Sequence, residues 1–322
     1  MKKIISAALF AGLLLLPVCG FAVDENAGTG GAAFMKLGAG SPRAQALGEA
    51  YVALAEGADS MVWNPAGLGY SQQREVYFTY LKWFQDYDGK MLAYVHPIGQ
   101  TVFGVNAAYM TMDGFDARDA NDVRVTNADV NLQNSFVTAS VARAFFVETL
   151  SIGASVKGVM ENYDGTRYSN VVYDIGAQLK VGKRIRLGYS LMNMGQDKSK
   201  VVQIRRAGAA LLLNSFLTIT GEVMEPSDNA TRTNVGLEIN FPEEVLQVGR
   251  ACLRVGYRQS ENYGKNDSSI LKTLGLQNSS KITMGMGLYS SDIMGYGVGI
   301  DYALLPFGEL GTAHQLGIKI LF

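Results

Sequence analysis

The stretch Tyr296–Leu305, YGVGIDYALL, alternates residue by residue. Tyr296, Val298, Ile300, Tyr302 and Leu304 fall on one side, with Gly297, Gly299, Asp301 and Ala303 on the other. A period of two is the mark of a strand with two different faces. The same split recurs upstream. LSIGASVKGVME sets Leu150, Ile152, Ala154, Val156 and Met160 against Ser151, Gly153, Ser155, Lys157 and Glu161. VYDIGAQLKV sets Tyr173, Ile175, Ala177, Leu179 and Val181 against Asp174, Gly176, Gln178 and Lys180. From Arg74 to Phe322 this period predicts fourteen strands, near 74–83, 90–97, 101–112, 131–146, 148–162, 166–181, 183–193, 201–213, 215–225, 229–240, 249–260, 281–290, 295–304 and 311–322. An even count returns both ends of an up-and-down barrel to one side.

The apolar side carries Tyr, Leu, Ile, Val and Met. The other is thin in charge and dominated by Gly, Ser and Ala, with isolated charges of both signs: Lys157, Glu161, Asp174, Lys180, Arg186, Glu238, Arg254, Asp301 and Lys319. A soluble sheet shows water a charged face and hides its apolar one. Here the pattern suits the reverse, an apolar outside in lipid and a polar lumen. Aromatic residues near strand ends (Tyr80, Trp83, Tyr109, Tyr257 and Tyr289) suit an interfacial girdle. Connections after the second, fourth, sixth and eighth strands are tight, as in IGQ, FVE, GK and NS, although the tenth breaks the run with FPEEVLQV; those after odd strands are more polar and often longer. The longest of these are 113–130 and 261–280. That alternation is how outer-membrane barrels are built. The fold class is therefore all-β: a transmembrane antiparallel β-barrel of about 14 strands with a short N-terminal helical plug, or hatch.

The chain divides into three parts. Lys2 and Lys3, the apolar run Ile4–Val18 and the small-residue exit at Gly20–Ala22 read as a signal peptide over 1–22. Lipid anchoring at Cys19 is the other reading, against which the bulky Val18 argues. Residues 23–73 form the hatch segment and 74–322 the barrel. Within the hatch, Leu47, Ala50, Tyr51 and Leu54 recur at helical spacing, with Ser41-Pro42 suited to a helix start and Gly57 to its end. Removing the signal peptide takes the two lysines with it, leaving 26 basic against 29 acidic residues. This balance, without a basic patch, argues against nucleic acid as a partner. It also leaves Cys252 as the one cysteine, so no internal disulfide can form.

LGEAYVALAEGADSMVWNPAGLG, Leu47 to Gly69, resembles the start of the PorV/PorQ family, placed with the FadL-like outer-membrane barrels. The resemblance lies in Leu47-Gly48, Ala50-Tyr51-Val52-Ala53, Ala58-Asp59 and above all Trp63-Asn64-Pro65-Ala66-Gly67-Leu68. It implies a hatch folded into the barrel, with Leu47, Gly48, Tyr51, Trp63, Asn64, Pro65, Ala66 and Gly67 as its gate residues. Asn64 would cap a turn, Pro65 fix the backbone, and Trp63 anchor the plug on the wall. Equally, Trp63 and Pro65 would simply lead the chain into the first strand.

Two functions follow from the resemblance. One is passage of hydrophobic small molecules across the outer membrane of a Gram-negative envelope. The other is a PorV-like role in type IX protein secretion, with 113–130 and 261–280 as the working surface and secreted proteins as partners. A structural outer-membrane protein is the third reading. Phe322, ending the alternating HQLGIKILF, looks like the signal read by the barrel-assembly machinery. Lys157, Glu161, Asp174, Lys180, Arg254 and Asp301 are the candidate lumen charges, lining a path or pairing across it. No cofactor is expected. His96 and His314 have no Ser and Asp neighbours at a familiar spacing, so no catalytic residue is assigned and the chain reads as a non-enzyme. Two distant histidines and one cysteine make no metal site.

Overall fold

The structure is a computed structural model describing residues 25–38, 40–83, 87–118, 121, 123–195, 197, 199–241, 249–259, 281–307 and 311–322. Fourteen antiparallel strands close into one barrel. They are β1 (Glu75–Lys82), β2 (Tyr87–Ile98), β3 (Thr101–Arg118), β4 (Arg124–Phe145), β5 (Leu150–Tyr163), β6 (Thr166–Val181) and β7 (Ile185–Met194), then β8 (Ile204–Leu212), β9 (Leu217–Pro226), β10 (Arg232–Phe241), β11 (Arg250–Arg258), β12 (Ile282–Ile293), β13 (Tyr296–Pro306) and β14 (Thr312–Leu321). Each pairs with its sequence neighbour, and β1 pairs with β14 in the register Glu75↔Leu321 to Lys82↔His314. Closure leaves no lipid-facing edge along that seam, where an unpaired backbone group would cost several kcal/mol.

The two faces of YGVGIDYALL separate as the alternation requires. Tyr296 and Ile300 are exposed, while Asp301 and Ala303 are buried. On β5 and β6, Ile152, Val156, Met160, Val171, Tyr173 and Ile175 point out, and Ser151, Ser155, Lys157, Asp174 and Gln178 are buried inside. Apolar side chains therefore coat the outside, and polar ones fill the middle. Tyr109 lies outward; Trp83 and Tyr289, expected in the girdle, turn inward instead. Trp83 packs on Phe307 at 4.4 Å between ring centroids, and the Tyr289 hydroxyl bonds Asp301.

Both chain ends of the barrel and the tight connections after β2, β4, β6, β8 and β12 share one rim, the turn end. The connections after odd strands form the opposite rim, the loop end. There the expectation for 113–130 needs correction. β3 runs on to Arg118 and β4 starts at Arg124, so the long loop is mostly a projecting hairpin with two register shifts. Its polar composition hides it from a search for one apolar face, because extending a ladder needs backbone hydrogen bonds rather than an apolar surface. The segment 261–280 lies outside the described residues, as do 1–24.

Candidate functional site: a hatch held by the lumen wall

Residues 25–73 run through the barrel from one rim to the other. At the loop end, Gly28 N–H donates to Asp228 O and Gly31 N–H to Ser199 O, while Lys36 pairs with Asp228 at 2.8 Å. At the turn end, Gln72 bonds Glu148 and Arg74 exchanges backbone bonds with Phe322. Between these points the chain is almost wholly buried, Leu47, Ala58, Met61, Ala66 and Leu68 all at 0% exposure.

The helix expected from Ser41-Pro42 to Gly57 is far shorter. α1 covers only Pro42–Ala46, with Ser41 accepting Ala44 N–H as its cap and Pro42 in its first turn. It stops because Gly48 and Glu49 take left-handed φ values of 65° and 69°. Two short 3-10 helices follow, Ala58–Val62 and Pro65–Tyr70. Helical spacing of apolar residues was real, but so short a helix is marginal without tertiary support. In this lumen, wall side chains satisfy the backbone instead. Glu222 accepts both Tyr51 and Val52 N–H at 2.8 Å. Gln178 donates to Val52 O and Ala55 O. Thr220 donates to Ala50 O, Ser190 to Trp63 O, Ser151 to Ala66 O and Thr283 to Ala46 O. Unpaired buried carbonyls and amides would each cost about 1–3 kcal/mol, so these contacts decide the path of the segment.

The expected gate residues occupy the centre of this packing. The backbones of Leu47 and Gly48 lie on lumen glycines: a Cβ at Gly256 would collide with both, and one at Gly236 would press on Leu47. Tyr51 packs edge-on against Trp63, ring centroids 6.3 Å apart at 75°. Over the Trp63 ring sits the Arg206 guanidinium at 4.4 Å. Asn64 accepts Ala66 N–H and donates to Val52 O and Ala177 O. Pro65 and Ala66 lie against Gly153, where a Cβ would strike their backbone, and Gly67 against the Ala55 carbonyl.

The six expected lumen charges all face inward, in two clusters and two outliers. Arg254 bridges Glu238 at 2.7 Å and Asp301 at 2.6 Å; Lys157 pairs with Asp174 at 3.0 Å and donates to Asn193. Glu161 accepts from the Tyr163 hydroxyl. Lys180, half-buried near the turn end, lies over the Tyr70 ring at 3.6 Å. Several ion-paired wall and hatch residues were missed. Arg206 pairs with Glu222 at 2.6 Å, Arg258 with Glu49 at 3.1 Å, and Arg43 with both Glu238 and Glu56. Strand parity was the signal that could have placed Arg206, Glu222 and Arg258 inside, but nothing in the sequence tells which residue each meets.

Two hatch carboxyls are shifted in opposite directions: against its burial, Arg43 and Arg186 hold Glu56 down at about 2, whereas Asp59 keeps its proton. Burial pushes it up to about 6, against the pull of Lys319 and the Ser41 hydroxyl. Ser41 donates to it at 2.6 Å and Tyr51 at 3.2 Å.

The lumen beside the hatch holds a cavity of about 20 Å³, lined by Phe34, Met110, Phe136, Trp63, Met192 and Ile204 among others. That is room for a single water. The histidines are bound elsewhere, His96 to Tyr94 at 2.8 Å and His314 to Tyr302 at 2.6 Å. Among the described residues no cluster of three His, Cys, Asp or Glu side chains could hold a metal ion. Phe322 directly follows β14 at the turn-end rim, 45% exposed.

Other barrels of known structure share this fold. Residues 24–178, the hatch and the first strands, match the model of the uncharacterised protein family UPF0164. No curated protein matches the chain by sequence. The fold is similar to that of the toluene transporter TbuX of Ralstonia pickettii, at 13% identity over 87% of this chain and 97% of that one, with a TM-score of 0.54. The toluene transporter TodX of Pseudomonas putida gives 12% identity, 87% and 96% coverage and the same score. A FadL homologue of Pseudomonas aeruginosa gives 10% identity, 94% and 99% coverage and a score of 0.50. At these identities the likeness is one of fold.

Proposed function

We propose that this chain is an outer-membrane protein that passes hydrophobic small molecules through its barrel, with residues 41–70 as the moving hatch. The observation that carries the reading is the filled lumen. From Leu47 to Leu68 the segment is almost wholly buried against the lumen wall, with Leu47, Ala58, Met61, Ala66 and Leu68 at 0% exposure, so a solute crossing the barrel must displace it. Three features support the rest. The wall is apolar outside, which suits lipid contact. Phe34, Met110, Phe136, Met192 and Ile204 give the lumen an apolar patch. The toluene transporters share the fold. Mixed-sign, mutually paired charges leave no single-sign ring of the kind that selects ions. Phe322 at the open rim suits recognition by the barrel-assembly machinery.

The test is uptake of a radiolabelled monoaromatic hydrocarbon into proteoliposomes. The wild type should admit it above protein-free vesicles, and locking the hatch to the wall by a disulfide between Ala66→Cys and Ser151→Cys should abolish uptake until reductant is added. Equal uptake with and without the crosslink would refute the reading.

The resemblance of Leu47–Leu68 to the PorV/PorQ proteins supports a second reading, the handing on of secreted proteins. The projecting β3–β4 hairpin, 18 and 22 residues per strand, favours it. Shortening that hairpin would then cost a protein partner but leave hydrocarbon uptake intact.

A further inference from the structure

The barrel wall is incomplete on one side of β6. At the turn end β6 pairs with β7 through Val181↔Ile185, and this pairing ends at Tyr173↔Met194 with a bulge between Tyr173 and Ile175. β6 itself continues to Thr166, paired on its other side with β5 as far as Tyr163↔Thr166. The hairpin turn is two residues, Asp164 and Gly165, both at positive φ. In a two-residue hairpin the flanking pair is hydrogen-bonded, and bonded pairs recur at every second residue. Thr166, Tyr168, Asn170 and Val172 therefore bond to β5, and Arg167, Ser169 and Val171 turn their N–H and C=O groups the other way. Among the described residues no backbone bond reaches those six groups.

Beside this edge is a cleft of about 470 Å³, bounded by residues 169–173 of β6 and, across it, by Met194, Gly195, Asp197, Lys200 and Val201 of the β7–β8 connection. An acyl chain offers nothing for six backbone groups to bond. Nor does a second barrel fit, because the β7–β8 connection stands across the gap and leaves a slot rather than an open edge. What fits a slot with a free edge is one extended strand. From Val181 to Tyr173 β6 already supplies nine residues, about what a tilted strand needs to cross the apolar core. The slot therefore lies at or beyond the far boundary of that layer, within reach of a partner in water.

We infer that this slot is a peptide-binding site that takes an extended segment of another protein by strand addition to Arg167, Ser169 and Val171. Alternate side chains of the added strand would point outward beside Val171 and Tyr173, both exposed, and inward over Val172 and Val201, both buried. The site thus suits a segment alternating apolar residues. Unpaired strand edges are normally blunted by proline, a bulge or a cover; this one has none of the first two between 166 and 172.

The test uses the full-length protein in detergent micelles and a seven-residue Thr/Val-alternating peptide, with amide hydrogen exchange read residue by residue. Saturating peptide should slow exchange at Arg167, Ser169 and Val171 at least tenfold and leave Ile175 and Ala177 unchanged. The same peptide N-methylated along its bonding edge should give no protection. Ser169→Pro removes a free donor without touching the β5 ladder and should weaken binding at least tenfold, while Ser169→Ala should bind as wild type does. No protection at saturation would overturn the proposal, showing an edge satisfied by water. Equal protection by the N-methylated peptide, which would mean apolar adsorption, would also overturn it. So would protection that rises with protein concentration before peptide is added, which would mean pairing between copies.

Discussion

The wall and the hatch are made from similar residues and held by opposite means. Along the wall, backbone bonds backbone and side chains only choose a face. In the hatch, backbone bonds after Ala46 close only local turns, such as Ala55 to Tyr51 and Asn64 to Ser60; wall side chains such as Glu222, Gln178, Thr220, Ser190 and Ser151 tie those turns to the barrel. A ladder of fourteen strands tolerates the loss of one side chain. A segment fixed by single side chains does not, and that asymmetry is what a movable plug inside a rigid tube requires. Elements that move are drawn from the less stable parts of a structure.

The sharpest way to break the comparison is Glu222→Ala. This carboxylate holds two hatch amides and the buried Arg206, which would be left without its partner. Stripping one member from a buried ion pair costs about 3–5 kcal/mol. We expect the hatch to loosen, seen as rapid trypsin cleavage after Arg43, while the barrel keeps its strand signal in circular dichroism. Next is a steric test. Gly256→Val drives a side chain into the Leu47–Gly48 backbone, whereas Gly158→Val, on the outer face, meets nothing within 4 Å. Overpacking of this kind costs about 1–3 kcal/mol. The first variant should release the hatch to trypsin and the second should behave as wild type.

The smallest expected effect concerns pH. Asp59 holds its proton to about 6 when the hatch is in place, against about 3.9 in a released, solvated segment. Between those values the seated form binds more protons than the released one. Seating is therefore tightest below about pH 4, weakens as pH rises through 6, and stays at the weaker level above it. The groups that face Asp59 are Ser41, Arg43 and Tyr51 within the hatch, Glu75 on β1 and Lys319 on β14. Trypsin cleavage rates in Asp59→Asn should lose this dependence between pH 4.5 and 6.5. A slope equal to that of wild type would assign it to another group.

How far the sequence could be read follows the same division. Fourteen strands were legible because one face of each is apolar and outward and the other turns into the lumen, so a period of two is imposed from Glu75 to Leu321. It failed where that imposition ends. Residues 113–118 and 124–130 pair as strands beyond the apolar layer, and their polar composition passed for a loop. Inside, parity placed Lys157, Asp174, Arg254 and Asp301 in the lumen, yet not which of them meet, since Arg254 on β11 reaches Glu238 on the adjacent β10 and Asp301 on β13, across β12. The hatch was misread as one helix because its apolar spacing answers to a curved wall of glycines and acceptors. At Gly48 that wall outcompetes the helix, lying close enough that only a backbone without a side chain fits.

Planar-bilayer conductance of the full chain beside a variant lacking residues 43–68 tests the central claim, that the hatch closes the barrel, most directly. Wild-type protein should stay closed, with brief openings at most, and the deletion should show steady single-channel steps in a correctly folded barrel. Equal conductance from the two would mean that this segment does not occlude the pore.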